Sequence, residues 1–244
     1  MNILCVDIGN TDTSFGIINN EFEILYKNRI PTSELNIDII INNESGLVPE
    51  HIAVCSVVPE KNKLIQKNKL NIDPFYINHK NSILKLNIDT PSEVGADRIA
   101  NCYAAFNEYK KQSIVIDFGS ATTFDVINSQ GEFIGGAICP GMDTAAKNLI
   151  NKAALLDNIP FIFPKNVIGK NTTENLQSGI LNGTINMVTG MINQIKNELQ
   201  ENDIKIFITG GFGKLISENL KIKHTFNSNL TILGVAKIYL VNTL

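Results

Sequence analysis

The chain of 244 residues lacks several features that mark common classes of protein. It has no excess of positive charge: 21 Lys and Arg stand against 24 Asp and Glu, so no basic stripe is available to neutralise phosphates. No apolar run approaches the roughly 20 residues that cross a bilayer. The first residues carry neither the basic segment nor the cleavage site of a signal peptide. We therefore expect no nucleic-acid partner, no membrane association and a cytoplasmic location.

Cysteine and histidine are too scattered to form a redox pair or a metal centre. No two of the four cysteines form a C-x-x-C pair, and each lies among apolar residues, which predicts buried free thiols. The three histidines show no metal-ligand spacing. With 43% apolar and 18% charged residues, the composition is that of an ordinary globular protein with one large domain or two smaller ones.

The most informative feature that is present is a stretch that occurs twice. "ILCVDIGNTDTSFGII" opens the chain, and "IVIDFGSATTFDVI" occupies residues 114–127. Each copy is an apolar strand that ends in Asp-x-Gly, followed by hydroxyl residues, a second strand, a turn rich in Asn, Ser and Gly, and a third strand. The duplication predicts an α/β protein with two similar domains, residues 1–112 and 113–244. The aligned pairs are Asp7 with Asp117, Gly9 with Gly119, and Thr13 with Thr123.

Further strands and helices are predicted between and after these copies. Short apolar runs at 51–58 and 204–211 indicate strands, and segment 95–111 has the three- and four-residue spacing of an amphipathic helix. A long helix is predicted to start near Thr172, where Asn171 and Thr172 are both good N-cap residues. Its apolar stripe is predicted to comprise Leu176, Ile180, Met187, Met191, Ile195 and Leu199. Glycines at 179 and 183 lower helix propensity, which suggests either a close backbone approach or a helix crossing at small residues.

The repeated turns have the composition of a phosphate-binding site. Free backbone N–H groups and hydroxyls suit anionic oxygens, and an Asp at the strand end suits a hard cation beside them. The sequence has no G-x-x-x-x-G-K-[ST] motif, and no G-x-G-x-x-G follows a strand, so "GGFGK" is interpreted as a strand-to-helix turn. Two such turns on facing domains would suit a nucleoside triphosphate.

The segment "GADR" at 95–98 carries the candidate proton acceptor. Gly95 is expected to permit an unusual turn into the helix, and Asp97 then lies in its first turn, where the helix dipole would lower its pKa. Such a carboxylate can orient an alcohol and accept its proton late in phosphoryl transfer. The alternative is that Asp97 only stabilises the helix start and pairs with Arg98.

Together these motifs resemble type III pantothenate kinases, within the superfamily of acetate and sugar kinases, chaperone ATPases and actin. The resemblance covers nearly the whole chain. The matching motifs are "DIGNTDT", "PSEVGADRIAN", "VIDFGSATTFD", "GGAICPGM", "IGKNTTENLQSG" and "TGG".

The resemblance implies two ribonuclease H-like domains in an actin-like ATPase architecture. It implies a homodimer that phosphorylates pantothenate with ATP, as the first step of coenzyme A synthesis, using magnesium and a monovalent cation, potassium or ammonium. The ATP phosphate loop would be Asp7, Ile8, Gly9, Asn10, Thr11, Asp12, Thr13 and Ser14. The pantothenate segment would be Gly95, Ala96, Asp97 and Arg98, with Asp97 as proton acceptor. Asp117 would bind the monovalent cation, Ser120 would bind ATP, and Thr172 would bind pantothenate held by the neighbouring subunit.

The chain departs from the family pattern at two positions. Ser120 stands where the family usually has Thr, which keeps the hydroxyl, and Ile88 stands where the family often has a Tyr that touches substrate. Two alternatives therefore stay open: a kinase of another small primary alcohol on the same scaffold, and a non-catalytic nucleotide-binding regulator.

Overall fold

The computed structural model describes residues 1–41, 45–152 and 159–243, with the backbone alone at Lys152. These residues form two five-stranded sheets. The first sheet has the order β3-β2-β1-β4-β5 and the second has the order β10-β9-β6-β7-β8. The strands are β1 (Asn2–Ile8), β2 (Asp12–Asn19), β3 (Ile24–Pro31), β4 (His51–Ser56), β5 (Phe75–Tyr76), β6 (Ser113–Phe118), β7 (Ala121–Ile127), β8 (Phe133–Pro140), β9 (Lys205–Thr209) and β10 (Thr225–Phe226).

The two sheets repeat one another. Matching β1 to β6, β2 to β7, β3 to β8, β4 to β9 and β5 to β10 reproduces the same strand order. β1 pairs with β2 in antiparallel and with β4 in parallel orientation, and β6 pairs with β9 in parallel. The predicted strands in both copies and at 51–58 and 204–211 are therefore confirmed, as is the internal duplication.

Helices connect and cover the strands. They are α1 (Ile37–Ile41), α2 (Pro59–Gln66), α3 (Ala96–Tyr109), α4 (Met142–Lys152), α5 (Thr172–Gln177), α6 (Gly183–Glu198), α7 (Gly213–Ser217) and α8 (Leu230–Thr243). Within the described ranges, no helix is both long enough and apolar enough to cross a bilayer.

The chain divides into two compact units that are not two simple halves. The first comprises 1–112, 125–135 and 229–244, and the second comprises 113–124 and 136–228. This division differs from a single one at residue 112, for two reasons. The start of β8 pairs with residues 85–87, where Phe133 N donates to Lys85 O at 2.9 Å, and α8 packs on α3.

α3 and α8 pack closely against one another in the first unit's core. A Cβ atom at Gly234 would overlap the backbone of Ala100, so the two helices meet without side chains between them. Cys102, on the predicted apolar face of α3, is fully buried there. Cys5 and Cys55 are also buried, and Cys139 is partly exposed, so the expectation of buried free thiols holds for three of the four. Burial raises the pKa of the Cys5 and Cys102 thiols.

The long helix predicted from Thr172 is present but contains an irregular turn. α5 continues through a π-helical turn, Ser178–Asn182, into α6 without a break. The wider turn displaces the buried face, so the fully buried positions are Leu181, Val188 and Ile192. The predicted stripe from Ile180 to Leu199 packs at the margin of this core and is only partly buried.

Candidate active site

The first Asp-bearing turn connects β1 to β2. Gly9 N donates to Asp12 O at 3.0 Å, which closes a three-residue loop of Gly9, Asn10 and Thr11. Asn10 and Thr11 are exposed, and the Asp12 carboxylate is paired with Arg29 at 2.7 Å. The side chains of Ile8 and Thr13, by contrast, are fully buried. Of the predicted ATP-loop residues, these two can therefore offer a ligand only their backbone.

The second turn connects β6 to β7 and is one residue shorter. Gly119 N donates to Ala121 O at 3.0 Å, so only Gly119 and Ser120 lie between the strands. The burial pattern of β7 from Ala121 matches that of β2 from Asp12. The structural counterpart of Thr13 is therefore Thr122 and not Thr123 as predicted, because the alignment without a gap ignores the missing loop residue.

Glycines pack the backbone closely around this second turn. A Cβ at Gly141 would overlap the Gly119 and Ser120 carbonyls, and a Cβ at Gly210 would overlap the Asp117 carboxylate. Gly210 also has φ +91°, a conformation that favours glycine. It opens the strand-to-helix turn between β9 and α7, which confirms that interpretation of "GGFGK". The Ser120 carbonyl accepts from Thr144 Oγ1 at 2.8 Å.

Asp97 lies at the start of α3, and its carboxylate occupies space that a side chain at Gly95 would fill. A Cβ at Gly95 would overlap Asp97 Oδ1, whereas the backbone of Gly95 has an ordinary φ of −58°. Glycine at 95 thus leaves space for the Asp97 carboxylate in this position, and it is not, as predicted, needed for an unusual turn. Asp97 Oδ1 accepts from the backbone N of Arg98 at 2.8 Å.

Burial raises the pKa of Asp97, which corrects the expectation that the helix dipole would lower it. The carboxyl group is largely enclosed by protein atoms, and the desolvation outweighs the opposing effects of the Arg98 N–H group and the Arg98 charge. A carboxylate with a raised pKa is a stronger base than an ordinary Asp, which suits a proton acceptor.

The Arg98 guanidinium pairs with Asp125 and not with its neighbour Asp97. Arg98 Nε donates to Asp125 Oδ1 at 2.6 Å, and Nη2 lies 2.5 Å from the same oxygen. Asp125 is fully buried, and Arg98 also lies over the ring of Phe133, 5.3 Å from its centroid. Asp125, within β7, is a residue of this site that the sequence analysis did not identify.

The structure brings the first turn and the GADR segment together within the first unit. Val57, just beyond β4, donates its N–H to the Ile8 carbonyl at 3.1 Å. Its Cγ1 lies 3.5 Å from the position that a Cβ atom would occupy on Gly95. Because β1 and β4 are parallel, their carboxyl ends meet at one sheet edge, where α/β folds bind ligands.

Thr172 lies in the second unit, exposed in the first turn of α5. Asn171 caps this helix, with its Oδ1 accepting from Glu174 N at 2.9 Å, and Glu174 Oε2 accepts from Lys170 N at 2.8 Å. This reciprocal capping confirms the predicted helix start and fixes the direction of the Thr172 backbone.

Each of the two turns, taken by itself, offers one carboxylate to a metal that arrives with phosphates. Among the described residues, no three His, Cys, Asp or Glu side chains cluster closely enough to hold an ion. Magnesium typically takes one or two carboxylates and completes its shell with waters and substrate phosphates. A single Asp at each strand end is compatible with that mode.

The duplicated sheets and the paired Asp-Gly turns define the fold of the actin-like ATPase and sugar kinase superfamily. Solved structures with this fold include the ADPNP-bound activator of 2-hydroxyisocaproyl-CoA dehydratase from Clostridium difficile, with a TM-score of 0.59 and 12% identity over 98% of this chain and 94% of that one. A Baf family protein from Campylobacter jejuni has a TM-score of 0.66 and 22% identity over 99% and 98%. At these identities the likeness concerns the fold alone.

Sequence comparison identifies the family within that superfamily. A family model described as type III pantothenate kinase matches residues 3–194. The type III pantothenate kinase of Sulfurihydrogenibium sp. is 39% identical over 96% of this chain and 97% of its own length. That of Persephonella marina is 38% identical over 97% and 98%. The chain belongs to the type III pantothenate kinase family.

Proposed function

We propose that the protein transfers a phosphoryl group from ATP to the primary hydroxyl of pantothenate, giving 4′-phosphopantothenate for coenzyme A synthesis in the cytoplasm. Membership of the family is the observation that carries this proposal. The geometry supports it, because a phosphate-type turn and a half-buried carboxylate with a raised pKa meet at one sheet edge.

Asp97 acts as the proton acceptor. The alcohol is too weak an acid to be deprotonated beforehand, so Asp97 orients the hydroxyl and takes its proton as the bond to phosphorus forms. The backbone N–H groups of the first turn and the Ser14 hydroxyl bind the phosphates, and Ser120 contacts ATP from the second turn. Asp7 would hold the magnesium ion that accompanies the phosphates. Magnesium, bound with ATP, supplies neutralisation of phosphate charge.

The substrate itself is tested by comparing turnover on pantothenate with turnover on other small primary alcohols. Ile88 is half-buried, and its Cγ2 lies 3.9 Å from the Cβ position of Gly135. We expect kcat/KM to be highest for pantothenate. Faster turnover of another alcohol would favour the alternative function, a kinase of another small primary alcohol. Nucleotide binding without turnover would favour a non-catalytic regulator.

Asp117 binds the monovalent cation in this proposal. It is the second-last residue of β6, and its carboxylate lies against the bare Cα of Gly210. We expect Asp117→Asn to reduce activation by potassium at least about tenfold, because a charged oxygen ligand is lost, with little change in thermal stability. The measurement is the rate as a function of potassium, with sodium as the reference salt. An unchanged potassium dependence would contradict the assignment.

A second copy of the chain covers the surface formed by α5, the π-helical turn and α6. This surface runs from Thr172 to Glu198, about 40 Å at 1.5 Å per residue. Cβ atoms added at Gly179 and Gly183 would meet nothing within 4 Å among the described residues, so packing within the chain does not require these glycines. Beside them, Ser178 Oγ donates to the Val167 carbonyl at 2.6 Å, and Val167 and Ile168 are 71% and 83% exposed.

A shared active site predicts complementation between two inactive variants. Asp97→Asn removes the proton acceptor, and Thr172→Arg blocks the pantothenate contact offered to the neighbouring subunit. After dissociation and mixing in equal amounts, each heterodimer should regain one working site of its two. Because random exchange makes about half of the dimers heterodimers, activity should approach about a quarter of the wild-type rate. The same mixture without dissociation is the control.

Two results would contradict the dimer proposal. Subunit exchange that is demonstrated but restores no activity would refute the shared site. A monomer in sedimentation at micromolar concentration would refute the dimer itself.

A further inference from the structure

We propose that Thr32 is a positioning residue for the first phosphate turn, which its hydroxyl holds in the conformation that binds ATP. The proposal rests on the assignment of this turn to ATP. Thr32 is the first residue after β3 and lies outside the motifs that identify the family. It is 3% exposed, and the Thr13 side chain that it contacts is fully buried.

Three hydrogen bonds tie Thr32 to the turn. Thr32 Oγ1 donates to the Gly9 carbonyl at 2.8 Å, and the Thr13 and Thr32 hydroxyl oxygens are 3.0 Å apart. Because the Thr32 proton is directed at Gly9, Thr13 is the donor in the second bond. Thr32 N also donates to the Thr11 carbonyl at 2.9 Å. Thr32 therefore holds both ends of the loop that runs from Gly9 to Thr11.

The bond to Gly9 matters because the turn binds phosphates with its backbone. Fixing the Gly9 carbonyl fixes the peptide plane that follows, and so the direction of the Asn10 N–H group. A binding turn whose supporting hydrogen bonds are lost relaxes, and small displacements are costly in such sites. Buried hydroxyls that satisfy one another make a chain of this kind rigid.

The second turn provides an internal comparison. Gly141, the first residue after β8, takes the place of Thr32, and its N–H donates to the Ser120 carbonyl at 3.1 Å. Gly141 has no hydroxyl, and Thr122, the counterpart of Thr13, is 1% exposed with no hydrogen-bond partner for its Oγ1 among the described residues. The hydroxyl bridge is thus a property of the first turn alone.

The test compares ATP binding by calorimetry, and KM for ATP and pantothenate, in four variants. Thr32→Val should raise the Kd for ATP at least about tenfold while KM for pantothenate stays within about twofold. Thr32→Ser, which keeps the hydroxyl, should bind ATP nearly as the wild type does. Thr122→Val removes an equally buried hydroxyl that makes no hydrogen bond, and it should leave ATP binding unchanged. Asp7→Asn tests the turn itself and should weaken ATP binding.

The outcomes separate the two assignments. Wild-type ATP affinity in Thr32→Val with weakened binding in Asp7→Asn would overturn the role of Thr32 alone. Wild-type affinity in both would overturn the assignment of the turn to ATP. Equal loss in Thr32→Ser and Thr32→Val would show that the hydroxyl is not the determinant and would also overturn the proposal. Should Thr32→Val fail to fold, Thr13→Val removes one bond of the bridge, and unchanged ATP affinity in that variant would overturn it.

Discussion

Asp97→Asn is expected to lower kcat by about 10²–10⁴, the usual effect of removing a positioned acid–base group. The substituted amide keeps an oxygen that can accept the hydrogen bond from Arg98 N, so the start of α3 should be preserved. ATP affinity should stay close to that of the wild type, because the proposed partner of Asp97 is the alcohol and not the nucleotide. Steady-state kinetics with pantothenate and ATP, together with calorimetric ATP binding, measure both quantities.

The same substitution should not destabilise the protein at neutral pH. Because the pKa of Asp97 is raised on folding, the folded state binds its proton more tightly than the unfolded state does. Ionisation therefore costs stability as pH rises through the folded pKa, and a neutral amide avoids that cost.

The raised pKa of Asp97 also affects the pH dependence of activity in the wild type. Because a proton acceptor must be ionised, activity should be lost on the acid side at a higher pH than an Asp with an ordinary pKa would give.

Asp38 offers a matched control for this prediction. It also lies in the first turn of a helix, but its carboxylate is exposed and pairs with Lys69 at 2.9 Å. Asp38→Asn should leave kcat unchanged. Wild-type turnover in Asp97→Asn, or an equal loss in Asp38→Asn, would contradict the assigned role.

Arg98→Met should destabilise the protein by about 3–5 kcal/mol, because it removes the positive charge that pairs with the fully buried Asp125 carboxylate. The long apolar side chain retains part of the packing against Phe133. Replacing both members of the pair, in Arg98→Met with Asp125→Leu, should recover much of this loss, because no charge then remains buried. Denaturant unfolding of the wild type, both single variants and the double variant measures the coupling free energy.

The ion pair of Lys85 with Glu132 provides the exposed counterpart. Lys85 is 71% exposed, so Lys85→Met should cost no more than about 1 kcal/mol.

The contradicting result concerns the variant that carries both Arg98→Met and Asp125→Leu. If its loss in free energy of unfolding equals the sum of the losses in the two single variants, Arg98 and Asp125 are not energetically coupled.

Much of the fold follows from local sequence patterns. The three strands that open each copy alternate or run apolar, and the turns between them carry Asn and Gly where the chain reverses, as at Gly131 with φ +79°. The place of α8 could not be predicted in the same way. Its sequence is mostly apolar and gives no distinct face, so its packing on α3, with the close approach of Gly234 to Ala100, is visible only in the tertiary fold.

The site was predictable as a set of motifs but not as a set of contacts. A position in the first turn of a helix is visible in sequence, whereas the enclosure that raises the pKa of Asp97 depends on the tertiary fold. Arg98 and Asp125 are 27 positions apart, and no local pattern joins them. The counterpart of Thr13 is Thr122 and not Thr123 because the second turn is one residue shorter than the first. An alignment without gaps cannot show that difference in length.

The central claim is most directly tested by incubating the purified protein with ATP, magnesium and pantothenate in potassium buffer and quantifying the products by mass spectrometry. We predict one 4′-phosphopantothenate formed for each ADP, with no ADP beyond background when pantothenate is omitted. ATP binding without 4′-phosphopantothenate, or ADP release that does not depend on pantothenate, would contradict the claim.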